Sequence, residues 1–231
     1  MSINHDFLIA NADTDSISFC KKDFSPFNEK EIKFLLEEIN NISPEFMIWE
    51  NDGYFSCVIV LKAKNYILWD GKKLKTKGSS LRDQKTEKAL REFVEEIIWA
   101  IIKETNNYTE IYNKYVLEIL NIKDIKRWSS KKSVTEKVLS NDRTNESRIR
   151  DAISGTEYSE GDKVYLFFLT ENKLELAENF KGEYDIPTML EKLYKKAKVF
   201  DNVLPTKELF LNYSLKKNKE LLQELINDKK F

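Results

Sequence analysis

The tightest constraint on this chain lies near its start. Two short apolar runs, Phe7-Leu8-Ile9-Ala10 and Ile17-Ser18-Phe19-Cys20, flank the polar tetrad Asp13-Thr14-Asp15-Ser16. Strand-forming runs parted by a tight polar turn predict a β-hairpin, with the acidic tetrad at its tip. Residues two apart in extended chain project to the same side, which puts the Asp13 and Asp15 carboxylates together. Two such carboxylates repel unless a cation lies between them. All-oxygen ligands at a rigid tip suit Mg²⁺, Mn²⁺ or Ca²⁺. Asp is also a common turn former, so the tetrad by itself reads equally well as an ordinary acidic turn.

The rest of the composition narrows the chemistry. The one histidine, His5, has no Cys or His neighbour, which effectively excludes zinc sites and histidine-based triads. Any catalysis falls to carboxylates and lysines. Cys20 and Cys57 lie in apolar strand-like runs and are expected as buried free thiols in a reducing compartment. The longest wholly apolar run, Ile97 to Ile102, is too short to span a bilayer, so no membrane partner is expected. A basic segment followed by an apolar core is missing at the N-terminus, which predicts a cytoplasmic protein. With a formal net charge of −1, nucleic-acid contacts must come from local clusters.

Along the chain, helical spacing of Ile32, Leu35, Leu36 and Ile39 predicts a helix over 28–42, capped by Asn28 with Glu31 and ended by Ser43-Pro44. Strands are expected at 46–49, 55–61, 66–69 and 72–75, with hairpin turns at Asn51-Asp52-Gly53 and Asp70-Gly71. Joined to the first hairpin they make one antiparallel sheet bearing a helix. Gly78-Ser79-Ser80 breaks the pattern. Beyond it a long amphipathic helix runs through Leu90 to Ile102, with Asp83 as its cap, and a second through Tyr112 to Leu120. Helical pieces follow near 133–140 and 146–153, then a strand from Val164 to Leu169. The tail is helical over 186–198 and 209–226. The fold class is α+β, with a sheet region over 1–78 and a mainly helical region over 79–231.

Two stretches are strongly basic. Lys62, Lys64, Lys72, Lys73, Lys75, Lys77, Arg82, Lys85, Lys88 and Arg91 face only Asp70, Asp83 and Glu87, with Tyr66 and Trp69 among them. A second stretch holds Lys123, Lys126, Arg127, Lys131 and Lys132. Basic residues around a carboxylate site suit a polyphosphate or nucleic-acid substrate, although charged runs are usually just solvated surface.

Taken in order, these residues resemble a family. Asn11-Ala12-Asp13-Thr14-Asp15-Ser16 resembles motif C of family B DNA polymerases, an acidic hairpin in the palm. Lys64-Asn65-Tyr66 resembles the family's KxY motif, and Lys77-Gly78 followed by Arg82-Asp83 and a long helix resembles the passage from palm to thumb. The flavour is that of tailed-phage replicative polymerases. The resemblance implies an antiparallel palm sheet with a metal-binding hairpin over 1–78 and a thumb over 79–231. It makes Asp15 the essential metal-binding aspartate of a two-Mg²⁺ site and Asp13 its companion, with Ser16 supporting the turn. Lys64 and Tyr66 would hold the primer terminus, and Lys77 and Arg82 would contact duplex phosphates. Asn11, where the family usually has tyrosine, and Ala63 and Asn65, where basic residues are common, depart from the pattern.

The implied partners are primer–template DNA and a deoxynucleoside triphosphate. Motif C starts here at residue 11, with no room before it for an exonuclease, fingers or the motif A aspartate. A separate N-terminal polypeptide carrying those parts is therefore expected as a partner, with a sliding clamp as a further one the resemblance allows. The chain then reads as a split-polymerase subunit or an excised piece, inactive alone. A non-catalytic DNA-gripping module with vestigial carboxylates is the alternative. The DxD of a nucleotide-sugar glycosyltransferase ranks last, since twelve residues cannot supply its nucleotide-binding unit.

Overall fold

A computed structural model describes residues 7–78, 85–140, 144–169 and 173–228. They divide into two units, Met1–Gly78 and Ser79–Phe231. Both units mix small antiparallel sheets with helices, an α+β arrangement.

In the first unit, β1 (Phe7–Asp13) pairs antiparallel with β2 (Ser16–Lys21) as the expected hairpin. Phe7, Phe19 and Phe27 pack edge-on and tilted beneath it, with centroids 5.4 to 5.8 Å apart. Helix α1 (Glu29–Ile42) starts where the capping box predicted. The Asn28 side chain accepts from the Glu31 N–H, and the Glu31 carboxylate accepts from the Asn28 N–H. Glu31 also accepts from Lys21 Nζ at 2.8 Å, tying helix to hairpin. Ser43 ends the helix, its Oγ donating to the Ile39 carbonyl at 2.8 Å, and Pro44 follows.

A second sheet runs β3 (Cys57–Lys62), β4 (Asn65–Trp69) and β5 (Leu74–Lys77) in order. The Asp70 carboxylate accepts from the Lys72 and Lys73 N–H groups at 2.7 Å each and closes the β4–β5 turn. Those two bonds hold its carboxyl below the usual range.

Three expectations for this unit fail. The hairpin and the three-stranded sheet are separate sheets rather than one. Residues 46–49 form no strand: the Asn40 side chain of α1 exchanges two hydrogen bonds with the Trp49 backbone and the Trp49 indole N–H donates to Ser43 Oγ, while Phe46 is 95% exposed and finds no ladder partner among the described residues. Cys20 and Cys57 are free as expected but only half-buried.

The second unit is built on α2 (Lys88–Ile102) and α3 (Tyr108–Leu120). Phe93, Tyr112 and Tyr115 meet Phe210 and Tyr213 in one buried aromatic cluster. Beside it a three-stranded sheet, β6 (Ser130–Ser133), β7 (Lys163–Phe168) and β8 (Leu174–Leu176), packs on α4 (Glu136–Ser140) and α5 (Thr144–Ile153). Val134, Val138, Ile153, Val164, Leu166, Leu174 and Leu176 fill that seam. Helix α6 (Ile186–Ala197) is capped by Asp185, whose carboxylate accepts from Thr188 N–H and Oγ1. The expected cap Asp83 lies outside the described residues, and α2 begins after Glu87 without a side-chain cap bond. The long tail helix over 209–226 is instead α7 (Thr206–Leu209), a turn, and α8 (Lys219–Asp228). Among the described residues no helix is long and apolar enough to cross a membrane.

Candidate active site

The hairpin tip is a two-residue turn, Thr14-Asp15, closing the Asp13–Ser16 pair. Its backbone is tight: Thr14 sits at φ +50°, and the Asp15 N–H donates to the Asp13 carbonyl at 2.6 Å. Ser16 Oγ donates to the same carbonyl at 3.2 Å, the turn-supporting contact expected of it. The left-handed Thr14 breaks the simple alternation of extended chain, so Asp13 and Asp15 differ in setting. Asp13 ends β1 half-buried and accepts from Thr14 Oγ1 at 3.3 Å. Asp15 is exposed and makes no side-chain hydrogen bond among the described residues. An ionised carboxylate in that state is an acceptor with all its lone pairs open to a cation.

Tyr66 joins this tip from a different sheet. The residue is buried on β4, and its hydroxyl lies close enough to the Ser16 and Asp13 side chains to feel both. Burial pushes the Tyr66 phenol up; the Asp13 and Asp15 charges push it further, and Ser16 opposes them. Such a phenol stays protonated across the physiological range and acts as a neutral donor. Lys77 stands opposite Tyr66 across β4–β5, so both side chains leave the same face. Lys64 sits exposed in the β3–β4 turn, two residues before Tyr66, at φ +60°. The structure therefore brings Asp13, Ser16 and Tyr66 together, with Asp15 beside them and Lys77 on the Tyr66 face. Arg82 lies outside the described residues.

Gly78 and Asn65 have parts that the sequence alone did not disclose. Gly78 adopts φ +102°, and a Cβ there would fall 2.3 Å from Asn65 Oδ1 and 2.6 Å from the Lys64 carbonyl oxygen. The end of β5 is thus pressed against the Lys64-Asn65 turn. Asn65 is buried, its Nδ2 donating to the Ala63 carbonyl at 3.0 Å.

Two carboxylates are an open set for a metal. Among the described residues no group of three or more His, Cys, Asp or Glu converges on one point. The hard oxygens of Asp13 and Asp15 fit Mg²⁺ in kind, and further ligands must come from water, substrate or another polypeptide segment.

No protein-family model matches the chain, and no curated protein matches it. Its fold is similar to that of the family B DNA polymerase from the hyperthermophilic archaeon Pyrobaculum calidifontis, with a TM-score of 0.64 at 14% identity. The match covers 86% of this chain and 27% of that one, so the chain spans little more than a quarter of the polymerase's length.

Proposed function

We propose that the chain is the C-terminal palm–thumb portion of a family B DNA polymerase, with the palm over 1–78 and the thumb over 79–231. One observation carries the reading. Residues of two motifs some fifty positions apart, Asp13 and Ser16 at the hairpin tip and Tyr66 on β4, come together closely enough to interact electrostatically, in a fold similar to that of a family B polymerase.

In this reading the reaction is nucleotidyl transfer, in which a primer 3′-hydroxyl attacks the α-phosphorus of a deoxynucleoside triphosphate and pyrophosphate leaves. Bound Mg²⁺ would activate the attacking oxygen and neutralise charge on the leaving group. Asp15 offers an open carboxylate to that ion, and Asp13, held by the turn, seconds it. Tyr66 stays protonated and fixes the tip against β4, which sets where the primer terminus can lie. Lys64 and Lys77 take backbone phosphates, contacts that fix register without reading sequence. Arg82 is assigned the same role. The motif A aspartate and the fingers come from a further polypeptide portion, and a sliding clamp is compatible with the same assembly. A tailed-phage origin belongs to this proposal as well, and the reading holds equally for a split-polymerase subunit and for a piece of a longer polymerase.

The test is primer extension by this chain alone, by a polypeptide carrying motif A and the fingers, and by both together. The mixture should extend in Mg²⁺ and neither part alone should. Asp15→Asn should abolish extension by the mixture while DNA binding is retained, and Asp13→Asn should be milder. Full activity of the Asp15→Asn mixture would leave the non-catalytic DNA-gripping module as the surviving reading.

A further inference from the structure

Asn65 is the one buried polar residue of the first unit among those described. It opens β4, where Tyr66, Ile67 and Leu68 follow it into the core. Taking a carboxamide out of water is unfavourable unless its hydrogen bonds are replaced. Here the replacement is made to the turn that precedes the strand. Lys62 and Asn65 pair across β3–β4, with Ala63 and Lys64 between them, and the ladder shifts register just before, between Val60 and Lys62. Asn65 Nδ2 donates to the Ala63 carbonyl at 3.0 Å, so the bond spans Lys64.

The other side of the carboxamide meets Gly78, the residue after the Lys77 that stands opposite Tyr66. A Cβ on Gly78 would fall 2.3 Å from Asn65 Oδ1, 2.5 Å from Asn65 Cγ and 2.6 Å from the Lys64 carbonyl oxygen. The carboxamide is thus clasped between the Ala63 carbonyl and the Gly78 backbone, and the same glycine crowds the Lys64 carbonyl. Between these contacts Lys64 sits at φ +60°. An L-residue keeps that conformation only where its surroundings over-determine it. The Lys64 side chain itself is exposed. Its backbone is held, and with it the direction in which the side chain leaves the turn.

We propose that Asn65 is a positioning residue: its clasp between the Ala63 carbonyl and Gly78 keeps Lys64 in the left-handed conformation from which the lysine reaches the primer strand. The proposal rests on the polymerase reading above. Asn65 touches no substrate in it and acts only through Lys64. A long flexible lysine on a loose turn would have to be ordered each time it met a phosphate, whereas a turn fixed in advance leaves only the side chain to order.

The experiment is fluorescence anisotropy on the full chain with labelled primer–template across a salt series. NMR on the same proteins reads the Lys64 Cα and Cβ shifts, which report its backbone conformation. The variants are Asn65→Ala, Lys64→Gln, the two combined, and Ile67→Val, which thins the core of the same strand away from the turn. Urea unfolding checks that each is folded. Asn65→Ser, whose hydroxyl stops one atom short of the carboxamide, replaces Asn65→Ala if that variant does not fold; failure of both makes Asn65 structural and overturns the proposal. Lys64→Gln removes one phosphate contact and with it about 0.9 from the slope of log affinity against log salt. Asn65→Ala should lose the same slope although no charge has been removed, and the Lys64 shifts should leave their left-handed values. The double variant should bind no more weakly than Lys64→Gln alone, the mark of two residues acting as one. Ile67→Val should keep affinity and slope. A folded Asn65→Ala chain with the parental slope, unmoved Lys64 shifts, or losses that add in the double variant overturns the positioning role, while a loss in Lys64→Gln would leave the polymerase reading standing. An equal slope loss in Ile67→Val, or none in Lys64→Gln, overturns it as well. An unaltered chain that does not bind primer–template sinks both.

Discussion

Thr14 and Lys64 hold left-handed backbone, at φ +50° and +60°, at the tips of the two hairpins that build the candidate site. For L-residues that region costs roughly 1–2 kcal/mol, and a β-branched threonine there is a true outlier. Glycine or asparagine would be the cheaper choice at either tip. Thr14 has a visible return, since its Oγ1 donates to Asp13. Lys64 is exposed, and among the described residues its side chain makes no hydrogen bond or ion pair that would offset the cost. Strain kept at a residue whose side chain does nothing for the fold points to a role in binding. Lys64→Gly should therefore leave the melting midpoint unchanged or raise stability by up to about 1 kcal/mol, yet weaken primer–template binding and extension. Calorimetry alongside anisotropy checks this; a variant that melts well below the parent makes Lys64 structural instead. The sequence pattern disclosed the identity of these tip residues but not their conformation. Hairpin periodicity says where a turn falls, whereas the choice of which residue takes φ > 0 is settled by ladder register and neighbouring contacts.

Among elements, the contact of β5 with the β3–β4 turn fixes Tyr66 and Lys77 on one face, and it depends on Gly78. A methyl group at Gly78 meets a backbone oxygen at 2.6 Å and a buried side chain at 2.3 Å, on a φ of +102°. Neither neighbour is a flexible chain end, so the turn itself must move. Gly78→Ala should cost about 3 kcal/mol or more, combining overpacking with left-handed strain. Urea unfolding gives the number, and a cost below about 1 kcal/mol would mean the turn gives way easily. Elements carried by strong periodicity, α1, α2, α3, α6 and β7, were legible in the sequence to within a few residues. Those that tertiary contacts decide were not. Ser130–Ser133 has no apolar alternation, yet it becomes β6 because β7 offers it a ladder. The tail has a helical pattern through Tyr213, but Tyr213 stacks on Tyr112 and the Asn212 side chain accepts from Ser214, so the chain turns there. Residues 46–49 look like a strand and lack only a partner.

At the scale of the whole molecule, the two units bury apolar surface very unequally. The second unit hides its aromatic cluster and the β6–β8 seam, leaving Leu139, Leu211, Leu215 and Leu221 as its exposed large apolar residues among those described. The first buries Leu35, Ile59, Leu61, Tyr66, Ile67 and Leu68 but exposes Leu8, Ile9, Ile17, Phe24, Phe34, Ile42, Phe46, Met47, Ile48 and Tyr54. A two-stranded hairpin with so little covered is marginal alone. Alkaline pH acts on the well-packed unit. Burial, joined at Tyr115 by its bond to Glu96, pushes the Tyr112 and Tyr115 phenols far above the ordinary tyrosine range. Folded pKa values above the unfolded value mean that the native state keeps protons which the unfolded chain gives up. Their stabilisation is complete below about pH 10 and is lost above it, at about 1.4 kcal/mol per pH unit for each phenol. Urea midpoints taken at pH 9, 10 and 11 should fall, with a further step of tyrosinate absorbance on unfolding as the buried phenols ionise; a flat profile would contradict the burial. Near neutral pH the order of opening is set by the unequal cores instead. Amides of β1, β2 and α1 should exchange at a lower opening free energy than those of α2, α3 and α6. Adding the polypeptide with motif A and fingers should slow exchange in β1, β2 and residues 42–49, because covering exposed apolar side chains and pairing an open strand edge raises the cost of opening there. Exchange already slow in the first unit of the isolated chain, or protection confined to the second unit on mixing, would mean that the exposed apolar face is not where that partner docks.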